Sequence, residues 1–469
     1  MRPEDKENRE RGEVWQAPYM PNPIDATVVI PGSKSLTNRY FALAALCAEP
    51  TRIHTPLIAR DTILMAHALE SMGAHVDLGE DVTTITPAPL HGGNIDVGLA
   101  GTVMRFIPAL AMLAKGTVHI DGDEGARQRP MGAIVDGLRQ LGVRVEASQD
   151  ADGEDVLPLD IYGAGADGIE GSVVDIDASA SSQFISALML AAPGTPSGLD
   201  IRHHGDTIPS TPHLAMTVDV LRKAGITVET FSDIYSLDNV SSPASLSSQW
   251  IVHAGTPSLG EVCVEPDLSN AGPFLAAAML TGGVVRIPNY PQETTQPGAF
   301  YRAIFEGMGG QSSLRDGVYE LRGGSTIRGI DMDMHDVGEL VPTVAAVCAF
   351  AETPSVLRNI AQLRGHETDR LAALECELQR LGCTAKVSEN DLHIGPAPLH
   401  PARLHTYKDH RMATFGAIIG LRVPGVEIEN IATTAKTFPQ FAQMWGEMTS
   451  GASEIRPSSV DVEQAEHSA

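Results

Sequence analysis

An Ala-rich apolar segment recurs six times along the chain, and each copy runs through a small break into an extended piece. The copies are FALAALCA from Phe41, FIPALAMLA from Phe106, FISALMLAA from Phe184, FLAAAMLTG from Phe274, TVAAVCAFA from Thr343 and TFGAIIGLR from Thr414. The extended pieces are TRIHT from Thr51, TVHID from Thr117, LDIR from Leu199, VVRIP from Val284, VLRNI from Val356 and VEIENI from Val426. They alternate or are β-branched, as strands are. Self-similarity of this kind decides architecture before any local motif does.

A second, amphipathic helix that ends in glycine and enters a strand also recurs: LESMGAHVD from Leu69, LRQLGVRVE from Leu138, LRKAGITVE from Leu221 and LQRLGCTAKV from Leu378. FEGMGG from Phe305 is a weaker copy. Glycine just past the last helical residue supplies the left-handed cap. The unit is therefore helix, strand, helix, strand, at spacings of roughly 65 to 90 residues. Because the spacing varies and the polar helix starts differ, an α/β chain of two globular domains with three units each is expected, not an open solenoid.

The expected domains are residues 32–265, and 14–31 together with 266–449. The second is split because strand-like TVVIP (27–31) precedes the first unit, so a crossing at Pro31–Gly32 puts it in the later domain. A hinge is expected near Pro266, and the Ser/Pro-rich SLDNVSSPASLSSQW before it reads as a surface loop. Residues 1–13 and 450–469 are polar and almost without periodic apolar positions, so a disordered extension and a disordered tail are expected.

At 469 residues and 43% hydrophobic, the chain has material for globular cores. Its 33 Lys and Arg stand against 59 Asp and Glu, a formal charge of -26, which repels nucleic acid and anionic lipid. An anionic ligand would need local basic pockets. The apolar run 106–114 is too short to span a bilayer and no signal segment opens the chain, so a cytoplasmic location without membrane or nucleic-acid partners is expected. Cys47, Cys263, Cys348, Cys376 and Cys383 are odd in number and contain no CxxC, which argues against a disulfide framework or a zinc site and for buried thiols.

The chemistry is concentrated where the Ala-rich helices begin: PGSKSLTNR, GLAGTVMR, SASSQ, PDLSNAGP, MHDVGELVP and YKDHR. In Ile30 to Arg39, Lys34 and Arg39 bring charge, and Ser33, Ser35 and Thr37 bring hydroxyls, to a helix start that already favours anions. A Ser-capped helix with solvated cations fits the same ten residues. If the six helices converge on one cleft, their starts form a single anion-binding hollow. A helix terminus contributes about 0.3 to 1 kcal/mol, whereas a cation about 4 Å away at an effective dielectric near 20 contributes about 4 kcal/mol. Side-chain cations should therefore dominate affinity. More of them lie in loops: Arg127 and Arg129 in DGDEGARQRP, His366 and Arg370 in RGHETDR, and Lys436 in TTAKTFP. Carboxylates beside cations in RGHETDR and KDHR suit acid–base work.

PGSKSLTNR, AGTVMR, QRP, SSQF, HETDR, DHRM and TAKTFP, in this order, resemble the 5-enolpyruvylshikimate-3-phosphate synthase family over about residues 20 to 447. The resemblance implies the two-domain inside-out α/β barrel of the enolpyruvyl transferases, six repeated αβ units with three per domain and helix starts facing the interdomain cleft. It implies transfer of the enolpyruvyl group of phosphoenolpyruvate to the 5-hydroxyl of shikimate 3-phosphate, on the route to chorismate and the aromatic amino acids. Phosphate is released, no metal or organic cofactor takes part, and the enzyme is a monomer and the target of glyphosate. Carried over by position, Lys34, Ser35, Arg39, Ser181, Ser182, Gln183, Ser210, Glu339, Gln362 and His366 hold shikimate 3-phosphate. Lys34, Gly101, Arg129, Gln183, Arg370, Arg411 and Lys436 hold phosphoenolpyruvate. The catalytic groups are Lys34, Glu339 and Glu367: Glu339 takes the proton of the 5-hydroxyl, Lys34 or Glu367 protonates the methylene, and a tetrahedral intermediate then loses phosphate.

The chain departs from the common pattern at Glu339 for Asp, His366 for Lys, Gln362 for Asn, His213 for Tyr and Leu99 for Asn. The related transferase acting on UDP-N-acetylglucosamine is the alternative, but it commonly carries a reactive Cys in the loop corresponding to 122–130, where this chain has none. A kinase phosphate loop is excluded because Ser33, not glycine, precedes Lys34.

Overall fold

Each Ala-rich segment is an inner helix wrapped by its own unit, and each is followed by an outer helix. A computed structural model describes residues 13–231 and 248–459. One compact unit spans Gly32–Val264, and the other joins residues 13–31 to 265–459. The first contains α1 (Lys34–Ala44), α2 (Arg60–Ser71), α3 (Gly101–Ala111), α4 (Gly132–Gln140), α5 (Gln183–Ala191) and α6 (Pro212–Lys223). The second contains α7 (Leu268–Thr281), α8 (Tyr301–Gly307), α9 (Val341–Cys348), α10 (Arg370–Arg380), α11 (His410–Gly420) and α12 (Phe441–Thr449).

The odd-numbered helices pack on one another within their unit: α1, α3 and α5 in the first, and α7, α9 and α11 in the second. Their all-round apolar composition allows this, and every residue of α7 is buried. Sheets of three to five strands lie outside them, presenting alternate residues to solvent, as in the eBeB pattern of Val173–Ile176. Each unit thus has its own core, with helices inside and sheets outside.

The sheets repeat one pairing scheme. His91–Asp96 runs parallel to Lys115–Asp121, which pairs antiparallel with Asp155–Ala164, which pairs antiparallel with Arg144–Gln149. The third sheet of the unit follows the same order, from Val173–Ile176 through Leu199–His203 and Gln249–Val252 to Val228–Phe231. In the first sheet the leading strand is supplied from the far end of the unit, where Glu261–Cys263 pairs parallel with Thr51–His54. The other unit is completed from the N-terminal side: Asp25–Val28 runs parallel between Val284–Ile287 and Glu454–Ile455, and Val14–Gln16 pairs antiparallel with Glu427–Glu429.

The glycine after each outer helix has positive φ: +109° at Gly73, +83° at Gly142, +80° at Gly225, +107° at Gly309 and +89° at Gly382. Gly451, at +93° after α12, is a sixth copy that the sequence pattern does not reveal.

Residues 450–459 correct the expectation of a disordered tail, because Glu454 and Ile455 pair with Thr27 and Val28. At the other end the Glu13 carbonyl accepts from Asn430 N at 3.0 Å, which ties Glu13 to the second unit. Residues 1–12, 232–247 and 460–469 lie outside the described residues, including most of the Ser/Pro-rich piece. Its end is no loop: Gln249 and Trp250 are strand, and Trp250 is fully buried. The thiols are corrected as well, since Cys263 and Cys376 are exposed, one on an edge strand and one on the outward side of α10. No helix among the described residues is long and apolar enough to cross a membrane.

Candidate active site

In the first unit, Gly32 brings the chain into α1 through a gap with no room for a side chain. A Cβ there would lie 2.2 Å from the Thr55 carbonyl oxygen. Ser33 then caps the helix, accepting from Leu36 N at 3.5 Å. The capping reading of this stretch is therefore met by Ser33, which leaves Lys34 and Ser35 in the first turn for other work.

Lys34 Nζ lies 3.1 Å from Asp61 Oδ2, and Asp61 is almost fully buried in the first turn of α2. Arg39, one turn deeper, is buried and braces three helices. It donates to Ser35 O at 2.9 Å, to Thr217 Oγ1 at 2.8 Å, to His213 O at 3.0 Å and to Ser186 Oγ at 3.5 Å, with its guanidinium over Phe106. Asn38 Nδ2 donates to Thr102 Oγ1 at 2.6 Å and ties α1 to the start of α3.

At that start two guanidinium groups meet. A Cβ on Gly101 would stand 3.3 Å from each Arg129 Nη and 3.5 Å from Arg105 Nη1. Arg129 arrives from the loop after the short helical turn Glu124–Arg127, and Arg105 lies one turn into α3 with its plane over Phe184. Two like charges beside a helix start repel each other and attract an anion. At the start of α5, Ser182 Oγ donates to Ser210 O at 3.4 Å, with Ser210 held at φ +57°, and Ser181 Oγ accepts from Gln183 N at 3.3 Å. The buried Gln183 Oε1 has no hydrogen-bond donor among the described residues.

The second unit carries one continuous polar chain. Glu339 is the next-to-last residue of the 3-10 segment His335–Leu340, and its Oε1 accepts from Ser269 Oγ at 2.6 Å in the first turn of α7. Ser269 O accepts from Arg411 Nη1 at 2.9 Å. Arg411 N donates at 2.7 Å to Asp409, the cap of α11. Asp409, fully buried, accepts from Arg370 at 2.8 and 3.2 Å. Arg370 also donates to Glu367 Oε2 at 2.8 Å and to His366 Nδ1 at 2.7 Å. Lys436 Nζ closes the series 3.0 Å from Glu367 Oε1. Gln362 Nε2 is occupied by the His335 carbonyl at 2.9 Å, and the Cβ that Gly338 lacks would fall 2.8 Å from it.

Burial works against the charge on Arg370, but the Asp409 and Glu367 carboxylates outweigh it and hold its pKa above the ordinary arginine value. Arginine only donates, so His366 Nδ1 is the acceptor in this contact. Among the described residues no group of three His, Cys, Asp or Glu side chains is arranged to hold a metal ion.

The structure thus gathers Lys34, Ser35, Arg39, Gly101, Arg129, Ser181, Ser182, Gln183 and Ser210 in one unit, and Glu339, Gln362, His366, Glu367, Arg370, Arg411 and Lys436 in the other. Asp61, Arg105 and Ser269 belong to the same networks without having been assigned roles from sequence, and Asp409, expected in acid–base work, is a fully buried partner of Arg370. Arg105, Ser269 and Asp409 stand inside the polar helix starts, which is the signal that points to them. The partnership of Asp61 with Lys34 has no local signal.

The model of the family EPSP synthase (3-phosphoshikimate 1-carboxyvinyltransferase) matches residues 18–445. The chain belongs to the EPSP synthase family. It is 49% identical over 449 residues to the 3-phosphoshikimate 1-carboxyvinyltransferase of Kocuria rhizophila, covering 93% of this chain and 96% of that protein. The EPSP synthase structure from Acinetobacter baumannii superimposes with a TM-score of 0.73 at 21% identity, over 94% of this chain and 98% of that one. The enolpyruvyl transferase NikO from Streptomyces tendae gives 0.68 at 18% identity, over 93% and 98%. These two likenesses establish the inside-out fold of the EPSP synthase family for this chain.

Proposed function

We propose that the two networks carry out the family's reaction: transfer of the enolpyruvyl group of phosphoenolpyruvate to the 5-hydroxyl of shikimate 3-phosphate, with release of phosphate. The observation that carries this reading is where the cations stand. In a chain of net charge -26, Lys34, Arg105 and Arg129 stand in one unit at or beside the starts of inner helices, and in the other Arg411 lies in the first turn of inner helix α11 while Arg370 and Lys436 join the same polar chain through Asp409 and Glu367. Both substrates are anions, and guanidinium forks suit carboxylate and phosphate.

Lys34, Ser35, Arg39, Ser181, Ser182, Gln183 and Ser210, with Glu339, Gln362 and His366, are assigned to shikimate 3-phosphate. A substrate hydroxyl would satisfy the buried Gln183 Oε1. Lys34, Gly101, Arg129, Gln183, Arg370, Arg411 and Lys436 are assigned to phosphoenolpyruvate.

In the addition step Glu339, fixed through one oxygen by Ser269, takes the proton of the 5-hydroxyl as that oxygen bonds to C2 of phosphoenolpyruvate. Lys34 gives a proton to the C3 methylene. Glu367 faces two cations, Arg370 and Lys436, and neighbouring positive charge favours the ionised carboxylate, which supports Lys34 as the donor. In the elimination step Glu367 takes a proton from the new methyl group, the C2–O bond to phosphate breaks, and the enol ether forms.

The experiment is phosphate release by the purified protein, expected only when phosphoenolpyruvate and shikimate 3-phosphate are both present. Release with UDP-N-acetylglucosamine in place of shikimate 3-phosphate would overturn the reading.

A further inference from the structure

Immediately before the cap of α11, two consecutive residues other than glycine hold positive φ, Tyr407 at +54° and Lys408 at +56°. In this region Cβ crowds the neighbouring carbonyl, so a pair in succession persists only where surrounding contacts fix it. Glycine would make the same turn without strain. Here the turn depends on an anchor.

The anchor is Tyr407, whose hydroxyl donates to Glu377 Oε1 at 2.6 Å. Glu377 is a fully buried carboxylate. Its other oxygen accepts from Arg380 Nε at 3.1 Å and from His405 N at 3.3 Å. Glu377 lies two turns after Arg370 in the same helix, so the two project from one side of α10. That helix therefore grips segment 405–409 at both ends, Glu377 holding His405 and Tyr407, and Arg370 holding Asp409. Asp409 in turn receives the Arg411 N–H.

We propose that Glu377 and Tyr407 are positioning residues for phosphoenolpyruvate: their hydrogen bond holds the strained turn that sets Asp409, and through Asp409 it orients Arg370 and Arg411. Neither touches the substrate. The proposal rests on the assignment of Arg370 and Arg411 to phosphoenolpyruvate.

The test is Tyr407→Phe, which removes one hydroxyl and leaves Glu377 paired with Arg380. The KM for phosphoenolpyruvate should rise about fivefold, the effect of one net hydrogen bond, while kcat and the KM for shikimate 3-phosphate change less than about twofold. Adding Lys408→Gly, which accepts the turn without strain, should return the KM toward that of the parent. A lowered melting temperature with an unchanged KM for phosphoenolpyruvate would reduce the bond to a fold contact and overturn the proposal. Arg411→Lys separates the two levels. If it leaves that KM unchanged, the assignment of the site fails and the brace with it; if it raises the KM while Tyr407→Phe does not, the brace alone fails.

Discussion

Ser269 joins Glu339 to Arg411, donating its hydroxyl to the carboxylate at 2.6 Å and accepting the guanidinium on its carbonyl at 2.9 Å. A carboxylate and a cation are thereby held by one residue in the first turn of α7. Ser269→Ala keeps the carbonyl and deletes the hydroxyl, so it releases Glu339 alone. Turnover should fall about tenfold, the scale of a lost hydrogen bond to a charged group, with the KM for phosphoenolpyruvate nearly unchanged. Steady-state kinetics check it, and a parental kcat would remove Ser269 from the machinery.

Lys34→Met takes away the proposed proton donor and should lower turnover by about a hundredfold or more while leaving the fold intact. It also strands Asp61, whose side chain is 1% exposed, at a cost of about 1 to 3 kcal/mol. Adding Asp61→Asn should recover most of that stability and none of the turnover. Denaturant melts beside phosphate-release rates separate the two effects, and near-normal turnover in Lys34→Met would contradict the role of Lys34.

A methyl group at Gly101 would press on both Nη atoms of Arg129 at 3.3 Å. Gly101→Ala should therefore displace that guanidinium and narrow the space beside it. We expect glyphosate inhibition to weaken about tenfold or more, a change of about 1.4 kcal/mol, and the KM for phosphoenolpyruvate to rise by less. Inhibition and substrate titrations on one preparation decide this, and equal losses would count against it.

Gly32→Ala acts on the fold. Its methyl would meet backbone, the Thr55 carbonyl oxygen at 2.2 Å, so the chain has to shift at the entrance to α1. A loss of about 1 to 3 kcal/mol in stability is expected, read as an unchanged denaturant slope with a lower midpoint.

The six inner helices, five of the outer ones and their glycine caps are legible in the chain because each rests on local rules: a buried helix must be apolar all round, and a left-handed cap favours glycine. The cations Lys34 and Arg411 at the helix starts are legible too, since they stand where no cap requires them, whereas Arg370 reads as a loop residue and only the structure makes it the first residue of α10. What only the tertiary structure decided is pairing between distant residues. Glu454–Ile455 becomes a strand because Asp25–Val28 is there to receive it, and nothing in two residues announces that. Lys34 meets Asp61, Asp409 divides itself between Arg370 and Arg411, and His366 meets Arg370. Periodicity records what a segment needs from its surroundings, whereas charge state and orientation depend on which neighbour the fold delivers.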